Sequence, residues 1–410
     1  MTLLRRMTIP ALLLAAAACA DPTGTSGRLG ELPRPLSDTE QALIGANNTF
    51  AFSLFRQVSS AYPDSNLFVS PLSISMALGM TMNGAAGPTM HEMRSMLGFG
   101  NMSQGDINES YQSLIQLLRG LDPKVDFRLA NSIWYDKEFP VEQPFVQSAA
   151  SFFDAQVAAT AFDDPGTVES INDWVSTATA GKIDEIIEDI PDDAVMYLLN
   201  AIYFKGDWTT QFDPQYTQPQ PFAGIRGSVS VPLMSVTDSV RYADVNGTKI
   251  VDLPYGGGAF AMTVVLPPVG EDIAAFASAI TASQWNAWQA AMSRTPVVIS
   301  LPKFTLERDY GLNETLQALG MRLAFGGGDF TPMSQAMGHK LEVSEVKHKT
   351  FVDVHEEGTE AAAVTSVGIV VVCACGPTYP QFRADRPFVF AIRERMSGTI
   401  LFMGVIVSLE

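Results

Sequence analysis

The residues to weigh first are the nucleophiles, bases and metal ligands. A hydrolase needs a nucleophile, a base and an oxyanion hole, and no G-x-S-x-G stands in the sequence. "SEVK", Ser344 to Lys347, matches S-x-x-K, but the companion S-D-N and K-T-G motifs are absent. The match also falls in an alternating, strand-like stretch rather than at a helix start. The histidines are His91, His339, His348 and His355, and no H-E-x-x-H occurs. Strand alternation would put His348 and His355 on opposite faces, which argues against a metal cluster with Glu356 and Glu357. Cys373-x-Cys375 lacks the two-residue spacer of the redox and zinc motifs. No cofactor fingerprint is present. The residues therefore read as a protein that is not an enzyme, with no catalytic group, no metal and no cofactor.

One stretch remains unexplained: "EEGTEAAAVTSVGIVVVCACG", Glu356 to Gly376, with no charge between Glu360 and Arg383. Its apolar part is too short to span a bilayer and Gly376-Pro377 follows it. Read as a strand, Thr359, Ala361, Ala363, Thr365, Val367, Ile369 and Val371 share one face, all small or β-branched. Glu360, Ala362, Val364, Ser366 and Gly368 share the other. Yet a glycine and three alanines at the start make a poor permanent strand. Such a segment can exist as a loop and also as an inserted strand.

The elements that must position it follow from periodicity. Phe50, Leu54, Phe55 and Val58 recur at helical spacing. Ser70 caps a second predicted helix with Pro71 at its first position. A third covers "TVESINDWVSTATAGKI", with Thr167 as cap and Gly181 as stop. "VMYLLNAIYF" is almost continuously apolar around Asn200 and reads as a strand buried on both faces. "FAMTVVLPP", "PVVISLPKFTLE", "LEVSEVKHKTFVDVH", "FVFAIRE" and "TILFMGVIVS" are further strands. In the third of these, Val346, His348, Thr350, Val352 and Val354 share a face. Helices early and strands late give an α+β class with a large, mostly antiparallel sheet. No internal repeat is visible.

The chain has 410 residues and a formal charge of −18. "MTLLRRMTIPALLLAAAACA" has a basic start, a short apolar run and small residues, and reads as a secretory leader over residues 1–18. Without its two arginines, 24 basic residues face 44 acidic ones, a charge of −20. Such a surface repels phosphate backbones and heparin-like polyanions, so no nucleic-acid partner is expected. Cys19 after three alanines resembles a bacterial lipobox, which would make it a lipidation site and the membrane a partner only through that lipid. The alternative is plain secretion. Residues 19–36 are rich in Gly, Pro and Thr and read as a flexible tether. Beyond Cys19 only two cysteines remain, so no disulfide framework is expected.

"EEGTEAAAVT" resembles the reactive-loop hinge of the serpins. It is accompanied, in order along the chain, by "NLFVSPLSISMALGM", "NGAAGPTMHEM", "INDWVSTATAGKI", "LLNAIYFKGDW", "LPYGGGAFAMTVVLPP", "LPKFTLERDYGLNETLQALGM", "FRADRPFVF" and "ILFMGVIVS". The similarity covers residues 37–410. It implies a single-domain serpin fold of three β-sheets and about nine helices, with an exposed reactive-centre loop over roughly residues 356–380. The class agrees with the α+β reading.

The resemblance also implies a mechanism. A serpin offers its loop as bait; the target protease cleaves it, is acylated, and is dragged across the sheet as the loop inserts. Loop insertion in this family is an established case of strand addition. Gly358 to Val372 is fifteen residues, which as a strand spans roughly 50 Å. At roughly 1 kcal/mol net per ladder hydrogen bond, the gross release is on the order of ten kcal/mol or more, so the starting form must be kinetically trapped. By match, Glu356, Gly358, Thr359, Glu360, Ala361, Ala362, Ala363 and Thr365 form the hinge. No bulky or charged inward side chain opposes insertion, which favours a true inhibitor over the non-inhibitory members. Val372–Cys373 is the expected reactive bond, within one or two residues. A β-branched residue there suits an elastase- or subtilisin-like target, a cysteine protease being a further candidate, and the lack of Arg or Lys argues against trypsin-like ones. Ser70, Ser73, Asn200 and His348 match the shutter beneath the opening sheet, and Trp208 the breach where insertion begins. A monomer is expected.

Overall fold

The computed structural model describes residues 29–359 and 379–410. Among them the helices are α1 (Asp38–Ala61), α2 (Pro71–Met82), α3 (Gly87–Met96), α4 (Gln104–Gly120), α5 (Gln143–Phe153), α6 (Gly166–Ala178), α7 (Ile273–Ala279), α8 (Ala282–Ala291) and α9 (Asn313–Ala318). The strands are β1 (Leu67–Val69), β2 (Val125–Asp136), β3 (Ala155–Thr160), β4 (Met196–Asp207), β5 (Gln218–Gly224), β6 (Gly227–Val245), β7 (Thr248–Pro254), β8 (Phe260–Leu266), β9 (Ser293–Pro302), β10 (Phe304–Gly311), β11 (Lys347–Val354), β12 (Gly358–Thr359), β13 (Gln381–Arg383), β14 (Phe388–Glu394) and β15 (Ile400–Ile406).

One sheet runs β10-β11-β12-β4-β2-β3, and a second hydrogen-bonded network runs β1-β15-β14-β8-β7-β6-β9-β13 with β5 on β6. The long β6 joins two parts of that network: its end pairs with β7 at Tyr242–Val245, and its earlier part pairs with β5 and β9. The expected nine helices and three strand groups are thus present in a mixed α/β fold. The simple order of helices before strands does not hold. Strands β1 and β2 come early, and α7, α8 and α9 fall between strands.

Helix α1 starts as its sequence dictates. Ser37 accepts from the Glu40 N–H at 3.1 Å and the Glu40 carboxylate accepts from the Ser37 N–H at 2.7 Å, a reciprocal capping box. Its apolar face buries Leu43, Phe50, Leu54, Phe55 and Val58. Helix α2 has Ser70 as N-cap and Pro71 at its first position, as expected. Helix α6 differs from expectation at its start. Pro165 is the cap residue, and Thr167 lies inside the helix with its hydroxyl donating to Ala161 O. Gly181 does close the helix, at φ 73°, with its N–H on Ser176 O. Ile171 and Val175 of α6 pack with Trp134, Leu199 and Ile183, Ile186 and Ile187 over one face of the six-stranded sheet.

Two strand readings need correction. Residues 341–346 are not strand, because Asn313 takes their backbone: its side chain donates to Ser344 O and accepts from Val346 N–H. The alternation starts at Lys347 and then holds, with His348, Thr350, Val352 and Val354 buried. "PVVISLPKFTLE" is two strands, β9 and β10, in different sheets. Strand β4 is also not buried on both faces: Leu198, Asn200 and Ile202 are only half-buried. Among the described residues β4 has no strand on its β11 side below Gly206, and Leu198 and Ile202 pack at the margin of the core.

Residues 29–36, expected to belong to a flexible tether, lie against the body. Leu29 N–H donates to Gly257 O at 2.8 Å. Leu29, Leu32 and Leu36 pack on the core, and Arg34 forks onto the Glu40 carboxylate. A buried carboxylate within reach of a guanidinium is reason enough for the segment to dock.

Candidate functional site: hinge, breach and shutter

The hinge begins where β11 ends. The chain turns at residues 355–358, closed by His355 N–H on Gly358 O at 3.0 Å, and returns as β12. Thr359 pairs with Val354 of β11 on one side and Gly206 of β4 on the other, and Gly358 pairs with Asp207. The first hinge residues are therefore already a strand between β4 and β11. Gly358 is required here because a Cβ would stand 2.3 Å from Gly206 O and 2.6 Å from Asp207 Cα.

Trp208 sits at the top of the lane between β4 and β11, 4% exposed. Its backbone N–H donates to Glu357 O at 2.8 Å and its indole N–H to His355 O at 2.9 Å. The ring stacks on Tyr255 at 4.4 Å between centroids. The Tyr255 hydroxyl in turn lies 2.6 Å from Thr359 Oγ1, and burial pushes its pKa well above the phenol range. Glu356 is clasped by Lys303 Nζ at 2.8 Å and by the Thr217 hydroxyl at 2.9 Å. Burial by itself would raise the Glu356 pKa; Lys303, the residue's own N–H and Thr217 outweigh it and hold the carboxyl below its usual range.

Ser70, Ser73, Asn200 and His348, expected from the resemblance to form a shutter, lie in one hydrogen-bonded group. His348 Nε2 accepts from the Ser70 N–H at 2.9 Å, so the neutral ring carries its proton on Nδ1. Burial lowers the His348 pKa to about 3. The Ser70 hydroxyl donates to Leu401 O at 2.8 Å. The Ser73 hydroxyl donates to Asn200 Oδ1. Asn200 passes the chain on to Asn131, whose amide donates to Phe153 O. A second set of contacts ties β1 to β10 and β11: Thr350 Oγ1 donates to Phe68 O at 2.6 Å and Phe68 N–H donates to Tyr310 OH at 3.2 Å.

Ser70, Ser73, Asn200 and His348 thus come together as expected, and Glu356, Gly358 and Thr359 meet Trp208 at the other end of the lane. Glu360, Ala361, Ala362, Ala363, Thr365, the Val372–Cys373 bond and Cys19 lie outside the described residues. Sequence reasoning missed Tyr255, Lys303, Asn131, Thr350 and Tyr310. Tyr255 stood within the quoted "LPYGGG" stretch, but nothing local shows that its hydroxyl faces Thr359.

The ends of β4 and β11 are thus parted by the two-residue strand β12, which pairs with both. The chain belongs to the serpins: residues 45–409 match the family model described as "Serpin (serine protease inhibitor)". It is 36% identical to human Serpin B8 over 372 residues, covering 88% of this chain and 98% of that protein. It is 35% identical over 378 residues to the leukocyte elastase inhibitor of Sus scrofa, covering 89% and 98%. Among solved structures, the thermophilic serpin tengpin in its native state superposes with a TM-score of 0.82 at 31% identity, covering 93% of this chain and 96% of that one. Human thyroxine-binding globulin superposes with a TM-score of 0.81 at 28% identity, covering 90% and 99%. The family is one of serine protease inhibitors rather than catalysts, and it also has non-inhibitory members.

Proposed function

We propose that this serpin is inhibitory, a suicide substrate that traps a serine protease as an acyl-enzyme while its loop inserts between β4 and β11. The observation that carries the reading is the hinge: Thr359 already forms ladder pairs with both strands and Gly358 with β4, and below them β4 and β11 share no ladder among the described residues. Each further residue added would fill the lane beside Leu198, Asn200 and Ile202 and gain backbone hydrogen bonds. The favoured targets are elastase- or subtilisin-like, from the β-branched Val372 at the expected bond. The name of the Sus scrofa relative, leukocyte elastase inhibitor, points the same way. The leader supports export, and Cys19 would attach the protein by a lipid to the cell envelope; secretion is the alternative. The second reading is a non-inhibitory serpin, which the likeness to thyroxine-binding globulin, solved in complex with thyroxine, supports.

The test is to mix the protein, lacking residues 1–19, with a neutrophil-type elastase, subtilisin and trypsin. A boiling-stable complex on a denaturing gel, with a released peptide starting at Cys373, is the expected result with elastase or subtilisin. Clean cleavage without complex by every protease would move the function to the non-inhibitory reading.

A further inference from the structure

At the end of the lane opposite Trp208 lies a cleft of about 900 Å³, within the range of small-molecule sites. Its walls come from elements on both sides of the opening. Tyr197 belongs to the start of β4 and Lys347 to the start of β11, and Glu345 lies in the segment just before β11. Ile187 and Asp189 come from the segment between α6 and β4, Tyr62 follows α1, and Glu314 is in α9. Tyr62, 41% exposed, and the half-buried Tyr197 give it aromatic surface, and Ile187 adds an apolar floor.

The charges are unbalanced. Glu345 has Lys347 at 3.7 Å, whereas Asp189 and Glu314 have no ion pair among the described residues. The Tyr197 hydroxyl registers the resulting field: its pKa is raised first by burial and then by Asp189, Glu345 and Asp193. A cleft with low-dielectric walls and carboxylates at its rim concentrates negative potential. Phenol faces add attraction for a cation.

The geometry points to this cleft as a binding site for an amphipathic organic cation, its ammonium among Asp189, Glu314 and Glu345 and its apolar body against Tyr62, Tyr197 and Ile187. Insertion would carry new chain down the lane to the starts of β4 and β11, which are two walls of the site. A ligand held there competes with the last inserted residues and resists insertion in proportion to its difference in affinity for the two forms. The ligand class rests on the cleft alone; the effect on inhibition rests on the inhibitory reading above.

The experiment is a calorimetric titration of the whole folded chain with 4-phenylbutylamine and with 4-phenylbutyrate, which share a body and differ in charge. The amine is expected to saturate at roughly millimolar concentration or below, and the carboxylate to bind at least about tenfold more weakly. Raising the salt should weaken the amine. The double variant Asp189→Asn/Glu314→Gln changes two exposed side chains, so its melting temperature should stay unchanged while amine affinity falls about tenfold. Tyr197→Leu should weaken the amine as well. No binding, equal binding of amine and carboxylate, or amine binding indifferent to the double variant would each overturn the site. With any protease that forms a complex, the amine should slow complex formation by the wild type and leave the double variant unaffected. If no protease forms a complex, it is the inhibitory reading that falls, and the titration still decides the site.

Discussion

The hydroxyls of Tyr255 and Thr359 lie 2.6 Å apart, both buried, at the point where the hinge enters the sheet. Tyr255 also stacks on Trp208, whose indole holds His355 O. One small polar cluster therefore connects the end of β11, β12 and the end of β4. On the inhibitory reading this is where insertion would begin.

Thr359→Arg would place a guanidinium where 2% of the threonine is exposed. A buried, unpaired charge opposes strand addition by several kcal/mol. The expected outcome is a folded protein still cleaved in its loop, with covalent complex reduced at least about tenfold. Undiminished complex on a denaturing gel would contradict insertion through this lane.

Gly358→Val tests the close approach to β4. With a Cβ 2.3 Å from Gly206 O, the hinge must leave its ladder position, and Trp208 loses the Glu357 carbonyl that its N–H now meets at 2.8 Å. Faster amide exchange at Trp208 and red-shifted tryptophan emission are expected. An unchanged exchange rate would show that the turn absorbs the side chain.

Acid sensitivity should trace partly to His348. Its folded pKa is lowered to about 3 from 6.5, so the unfolded chain takes up a proton in a range where the folded one does not. Stability is then greatest above pH 6.5 and falls as the pH drops towards 3, by up to about 1.4 kcal/mol per unit from this residue. His348→Gln should flatten the slope of unfolding free energy against pH between 6.5 and 4 by about 1 kcal/mol per unit. An identical slope in the two proteins would remove His348 from the account.

Lys303 offsets the burial of Glu356 from 2.8 Å away. In Lys303→Met burial, the strongest influence on this carboxyl, loses its main opponent. The Glu356 pKa should then rise. Because the folded value is now below 4.5, the stability it contributes is present above that pH and lost below it; in the variant the loss should begin at higher pH. Carbon-detected titration of the Glu356 carboxyl checks this, and an unmoved midpoint would refute it.

Docking of residues 29–36 should depend on Arg34, which with a hydrogen bond from its side chain holds the Glu40 pKa at about 2. Arg34 itself is 41% exposed, so solvent weakens the pair. Arg34→Met is expected to lower stability by about 1 kcal/mol at neutral pH and by less as the pH falls from 4.5 towards 2, where the unfolded chain protonates Glu40 before the folded one does. Equal losses at both pH values would mean that Arg34 acts through packing alone.

Much of this was legible along the chain because it is governed by local periodicity and backbone chemistry. The Ser70–Pro71 start of α2, the buried alternation from His348 to Val354 and the small hinge residues Gly358 and Thr359 each follow from near neighbours in sequence. The motif order carried the family, and with it the joint appearance of Ser70, Ser73, Asn200 and His348. Tertiary structure decided what depends on partners far along the chain. Asn313 turned residues 341–346 out of their strand, Glu40 drew the supposed tether onto the body, and β4 kept Leu198 and Ile202 at the margin of the core, half-buried. Tyr255 and Thr359 are 104 residues apart in sequence, and only the sheet that carries both sets one hydroxyl against the other.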